Sequence, residues 1–94
     1  MEQTFRPHLR LTILQILEAQ AAYQTNDRLL IDTVRASGLK ATADQVRTEL
    51  GWLSEQGLVT RKELDPFTLV TATERGAEVA VGVGRVNGVQ RPGP

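Results

Sequence analysis

The side chains of this 94-residue sequence that could do chemistry are few and scattered. His8 is the single histidine and cysteine is absent, which excludes thiol nucleophiles, disulfides and Cys-ligated zinc. Nothing beside His8 supplies a second metal ligand or an orienting carboxylate, so it reads as a solvated surface residue rather than a ligand or a base. No serine has a plausible His base nearby. Gly82-Val83-Gly84 lacks the further glycine and the strand-to-helix context of a dinucleotide fingerprint. Glu74 and Glu78 stand at helical spacing, a commonplace of solvated faces. Enzyme activity is therefore not expected, and neither is a cofactor or a metal. The chemistry left is hydrogen bonding and charge. Gln45 and Arg47 carry the amide and the guanidinium that are able to read base edges.

Eleven basic and eleven acidic residues give zero formal charge, so long-range attraction to nucleic acid or anionic lipid is not expected and any such binding needs a local patch. The 40% hydrophobic content suits one small domain held by packing. The N-terminus M-E-Q-T-F-R-P-H lacks the basic and apolar regions of a signal peptide, and no run approaches a membrane span. A cytoplasmic protein without membrane contact is expected.

The elements that position Gln45 and Arg47 can be read from local signals. Thr42 followed three residues later by Gln45 forms a capping box, and Val46, Leu50 and Leu53 recur on one helical face. Gly57 ends that helix, with Leu58 as its hydrophobic contact. Upstream, Phe5 to Gln20 reads as a first helix, with Pro7 tolerated in its first turn. Leu9, Ile13, Ile16 and Leu17 mark its inner face and Leu11 and Leu14 widen it, either as a central core helix or as one that also forms a dimer interface. Ala21 to Thr25 reads as a connection anchored by Tyr23. Asn26 caps a second helix whose inner face is Leu29, Leu30 and Val34, with Ile31 near the edge, and Ser37-Gly38 stops it. Only Leu39, Lys40 and Ala41 then precede Thr42, the geometry of a helix-turn-helix, with Leu39 plugging the corner and Arg35, Lys40 and Arg47 able to converge around it.

After Gly57, Leu58 to Leu64 and Thr68 to Ala72 read as a two-stranded hairpin around Asp65-Pro66-Phe67. Thr73 caps a short helix that Gly76 weakens. From Val81 onward the sequence V-G-V-G-R-V-N-G-V-Q-R-P-G-P reads as an extended or poorly ordered tail, with Arg85 to Pro94 either a loose end or a short recognition strand that orders on another subunit. Trp52, on the flank of the third helix, is expected either beneath the hairpin near Leu58 or Val70 or as an exposed anchor. Gly51 beside it suggests close approach of another backbone, a partner or DNA.

The order helix, helix, helix, hairpin, short helix, with L-G-W-L-S-E-Q-G-L-V entering the first hairpin strand and T-A-T-E-R-G-A-E-V-A after the second, resembles the winged helix-turn-helix families. These include bacterial regulators of the multiple-antibiotic-resistance and arsenic-repressor types. The resemblance covers about Leu9 to Ala80. The whole chain, with its closing G-V-Q-R-P-G-P, also resembles small winged-helix proteins encoded by transposable phages and prophages. The fold this implies is mainly α with a small β-hairpin (α+β): a three-helix core plus wing and a short C-terminal helix over residues 5–80, followed by a Gly/Pro-rich tail over 81–94.

The function the resemblance implies is a small DNA-binding transcriptional regulator of bacterial or phage origin. Double-stranded DNA is then the partner. The groove-facing candidates are Thr42, Ala43, Gln45, Arg47 and Thr48, the wing candidates are Arg61 and Lys62, and Lys40 joins them from the corner. A homodimer could form through the first helix or the C-terminal tail. The alternative is a winged-helix protein-interaction module, a phage or prophage accessory protein that does not bind DNA. Charge separates the two. From Thr42 to Gln56 Arg47 is the sole basic residue against Asp44, Glu49 and Glu55, and Arg61 and Lys62 are balanced by Glu63 and Asp65, a distribution that favours the alternative.

Overall fold

The computed structural model describes residues 2–93; Met1 and Pro94, the last residue of the expected tail, lie outside them. Helix α1 spans Glu2–Glu18, strand β1 Gln24–Asn26, helix α2 Asp27–Ala36 and helix α3 Ala43–Glu55. Strands β2 (Val59–Leu64) and β3 (Phe67–Ala72) and helix α4 (Glu74–Ala80) follow. Among the described residues the architecture is α+β, with four helices and one three-stranded antiparallel sheet.

Helix α3 has the start, face and stop that its local sequence encodes. The Thr42 hydroxyl accepts the Gln45 N–H at 3.0 Å, and the Gln45 side-chain oxygen accepts the Thr42 N–H at 2.8 Å. Val46, Leu50 and Leu53 are buried. At the far end the Leu58 N–H reaches the Leu53 carbonyl at 2.9 Å and the Gly57 N–H reaches that of Ser54 at 3.0 Å, with Gly57 at φ +75°. These are the paired bonds of a left-handed helix stop.

Helix α2 is capped as expected, the Asn26 side chain accepting the Leu29 N–H at 2.8 Å. Its inner face is rotated from the one expected. Leu30, Ile31 and Val34 are buried, whereas Leu29 is 55% exposed. The set at i, i+3, i+4 and i+7 begins at Asp27, which turns inward, so an acidic residue occupies a position that an apolar periodicity cannot reveal. In the connection to α3, Leu39 packs partly buried against the core.

Helix α1 begins before Phe5, which moves Pro7 out of the first turn and into the helix. Leu9, Leu11, Ile13, Leu14 and Leu17 are buried in contact with α2, α3 and α4. The wide stripe of α1 is thus covered within one chain. No described helix is long and apolar enough to cross a membrane.

The sheet has three strands rather than two, in the order β1-β3-β2. Ala21–Tyr23 makes a 3-10 turn with Ala22 and Tyr23 at φ 58° and 59°. Gln24, Thr25 and Asn26 then pair with Thr71, Val70 and Leu69. Polar Q-T-N carries no alternation; it becomes a strand because β3 offers it an unpaired edge. Tyr23 is 39% exposed and does not anchor the connection.

Two glycines close the structure. At Gly76 an added Cβ would overlap the Leu58 carbonyl, which already accepts the Thr73 N–H at 3.0 Å. The residue that weakens α4 as a helix is therefore what lets α4 seat against the start of β2. Gly88 serves the tail, which is not poorly ordered but docked as a strap. Val83 and Gly84 N–H groups bond the Glu78 carbonyl and reverse the chain, Val89 is buried in the core, and the Gln90 N–H reaches the Pro7 carbonyl at 3.2 Å.

Candidate nucleic-acid interface

The 3.6-residue period divides the outside of α3 into a ridge and two flanks. Asp44, Thr48 and Glu55 are exposed on the ridge with half-buried Gly51 among them. Arg47 and Ser54 lie on the flank toward the hairpin, and Gln45, Glu49 and Trp52 on the flank toward α1. Gln45 and Arg47, the two base-edge candidates, thus leave the helix in different directions.

On the hairpin flank the strand register sorts the basic residues. Arg61 is opposite core-facing Val70 and Lys62 opposite Leu69, and side chains alternate across a sheet. Arg61, Glu63 and Thr68 accordingly face α3, while Lys62, Leu64, Phe67 and Leu69 lie on the outer face. Arg61 and Lys62 therefore do not form one patch. Between α3 and the hairpin is an open groove of about 440 Å³ lined by Arg47, Arg61, Glu63 and Ser54, with Asp27 and Leu50.

Asp27 ties three elements together at that groove. Its Oδ1 accepts the Thr68 N–H at 3.1 Å and its Oδ2 lies 3.4 Å from Nη2 of Arg47. Burial by itself raises the Asp27 pKa, but the Thr68 N–H, the hydrogen bond and charge of Arg47 and the Arg28 N–H outweigh it, leaving the carboxyl below its ordinary value. Asp27 is 8% exposed, while the Arg47 side chain remains 48% exposed.

The opposite flank holds a buried charge cluster that the sequence did not announce. Glu49 accepts from Nε of Arg10 at 2.6 Å and from Nε of Arg6 at 2.7 Å. Arg10 also donates to the Gly88 carbonyl at 2.9 Å, and its guanidinium lies 3.8 Å from the centroid of the Trp52 ring. Glu49 therefore belongs to the interior, not to an acidic reading surface. Trp52 is neither beneath the hairpin nor an exposed anchor, because Arg10 and Gly88 cover it. The i, i+4 spacing of Arg6 and Arg10 hinted at a shared partner, but only the packing of α1 on α3 supplies it. The strap also passes His8, whose Nδ1 is buried with no hydrogen-bond partner among the described residues, so His8 is not the solvated residue expected.

The remaining candidates spread over the surface. Thr42 and Gln45 are exposed but committed to the cap, which leaves the Gln45 side-chain N–H groups for a partner. Ala43 packs partly buried against the core instead of facing outward. Thr48 lines a second groove with Gln45, Asp44, Phe5 and Arg6. Lys40 is exposed in the α2–α3 connection beside Arg35, whose Nε donates to the Ala41 carbonyl at 3.1 Å. Arg35 and Lys40 stay together there; Arg47 does not join them. Among the described residues no other backbone approaches Gly51 closely, a Cβ there meeting Arg61 Nη1 at 4.0 Å.

No family model matches the sequence, and no solved structure matches it. The chain is 44% identical over 85 residues to the uncharacterized protein gp26 of Escherichia phage Mu, a match covering 90% of this chain and 88% of gp26. The chain belongs to the gp26 family. An uncharacterized protein of Haemophilus influenzae is 37% identical over 67 residues, covering 70% of this chain and 65% of that protein. In a 94-residue chain an 85-residue match to gp26 necessarily contains residues 10–85. All of α3 and the residues lining the hairpin groove lie inside that stretch.

Proposed function

We propose that this gp26-family protein is a winged-helix DNA-binding protein, a small phage-type regulator in which α2 and α3 are the helix-turn-helix and the β2–β3 hairpin is the wing. The observation that carries this reading is the convergence of Arg47 from α3 and Arg61 from the hairpin on one open groove. Two guanidiniums brought together from a helix and a hairpin suit a reading helix in the major groove with a wing on the adjacent backbone. The element order and the antiparallel order β1-β3-β2 support the same reading.

In this reading Arg47 is the base-reading residue, Thr48 and the free Gln45 amide N–H groups extend the contact along α3, and Arg61 neutralises phosphate. Lys62, on the far side of the hairpin, contributes less. Fluorescence anisotropy on duplex DNA across a salt series tests it. Arg47→Ala is expected to weaken specific binding by about 1 to 3 kcal/mol, and Arg61→Ala to weaken binding to all sequences and flatten the salt dependence. Lys62→Ala should fall between Arg61→Ala and wild type. Absence of duplex binding at low salt would overturn the proposal.

A second reading has its own observation. On the outer sheet face Leu64 is 37% and Phe67 36% exposed, with half-buried Leu69 beside them, and the α3 ridge carries Asp44 and Glu55. An apolar sheet face and an acidic ridge suit a protein partner better than phosphate. Absence of duplex binding by the wild type, or binding that neither Arg47→Ala nor Arg61→Ala changes, would move the function to that face.

A further inference from the structure

Arg47 does not stand free in the groove. Its guanidinium carries five donors on a planar fork, and one of them, on Nη2, is taken by Oδ2 of Asp27 at 3.4 Å. The other oxygen of the same carboxylate holds the Thr68 N–H at 3.1 Å. Asp27 is the first residue of α2, Arg47 lies in the second turn of α3, and Thr68 is near the start of β3. One buried carboxylate thus contacts both a side chain on α3 and the backbone of the hairpin that flanks it.

We infer that Asp27 is a positioning residue for base recognition, holding the Arg47 fork at a fixed angle to the hairpin so that its outer edge meets a base. This inference rests on the DNA-binding reading above. The reason for a carboxylate here is twofold. An arginine on a solvated helix samples many rotamers, and ordering it at the moment of binding opposes affinity by about 0.5 to 1.5 kcal/mol per side chain. A charge-assisted contact made in the free protein removes part of that opposition and restricts the directions in which the fork can point. Since the same carboxylate accepts the Thr68 N–H, a shift of the hairpin and a shift of Arg47 are coupled. Glu63, the other carboxylate facing the groove, makes no ion pair with Arg47 among the described residues, and Arg61 has donors only and cannot take the place of Asp27.

Asp27→Asn separates the two jobs of the carboxylate. Asn keeps an oxygen for the Thr68 N–H, but its amide N–H groups oppose those of Arg47. Selection from a random-sequence duplex library, carried out with wild type, Asp27→Asn, Arg47→Ala and the double variant, reads the consequence. Asp27→Asn is expected to lose discrimination at one base position by roughly 5- to 150-fold, with affinity for a random duplex held within about twofold. In the Arg47→Ala background the same change should have no further effect on base preference, a non-additivity that a purely structural role would not produce. In the free wild-type protein, NMR of the Arg47 guanidinium should show rotation slowed relative to that of exposed Arg28, a readout that needs no variant to fold. Wild-type base preference in Asp27→Asn, an equal loss in both backgrounds, or free rotation of the Arg47 guanidinium each overturns the inference. Duplex binding with no selected sequence overturns it alone, whereas failure to bind any duplex overturns the DNA-binding reading with it.

Discussion

Glu49 is the residue on which the α1 flank turns. It is 3% exposed, and its two partners differ sharply, the Arg10 side chain being 10% exposed and that of Arg6 56%. A buried ion pair gains little net stability over apolar packing, yet removing one partner strands the other charge away from water. Glu49→Ala is therefore expected to destabilise the fold by about 3 to 5 kcal/mol, since Arg10 stays pinned between Trp52 and the strap. Arg6→Ala should lie within about 1 kcal/mol of wild type, because its pair is largely solvated. Urea denaturation of the two variants measures the contrast. Equal small effects would mean that the Arg10 pair is solvated too. The cluster also bears on function, since it removes one of the three acids that made α3 look hostile to DNA.

At the level of the elements, what was legible in the sequence was whatever is local. The Thr42 cap, the Val46, Leu50 and Leu53 face and the Gly57 stop all lie within a few residues of what they control, and α3 came out as read. The same holds for the Asn26 cap and the Thr73 cap. Strand β1 was illegible because its three polar residues acquire their conformation from the edge of β3. The candidate site was less legible still: spacing placed Arg47 outside the core correctly, but its link to Asp27 across the chain leaves no local trace. Gly76 puts this distinction to a test with opposite signs. Helix propensity alone says that Gly76→Ala should stabilise α4 by about 1 kcal/mol. The overlap of a new Cβ with the Leu58 carbonyl says that it should destabilise, by roughly 1 to 3 kcal/mol as the chain shifts to relieve the clash. A higher melting temperature for Gly76→Ala would show that α4 does not approach β2 as described.

Across the whole molecule the strap joins opposite ends of the sequence. Gly88 is at φ +97°, and a Cβ there would stand 2.8 Å from Cζ2 and 2.9 Å from Cη2 of Trp52, so only glycine lets the chain lie flat on the indole. Ending the chain after Val83 removes this cover, buried Val89 and the carbonyl that Arg10 donates to. The expected loss is roughly 2 to 4 kcal/mol, from one buried valine and one charged hydrogen bond. Trp52 fluorescence should shift to longer wavelength as water reaches the ring. An unchanged unfolding midpoint and an unchanged emission spectrum would show that the segment contributes nothing to the fold.

The bond from Gln90 to Pro7 also sets an order of events while the chain is being made. Domains form as their segments emerge from the ribosome, beginning with the N-terminal ones. Here the strap can close on Pro7 and Arg10 only after α1 to α4 and the sheet between them have been made. Arg10, and Trp52 once it has followed, stay uncovered until Gly88 and Val89 are made and fold back across them.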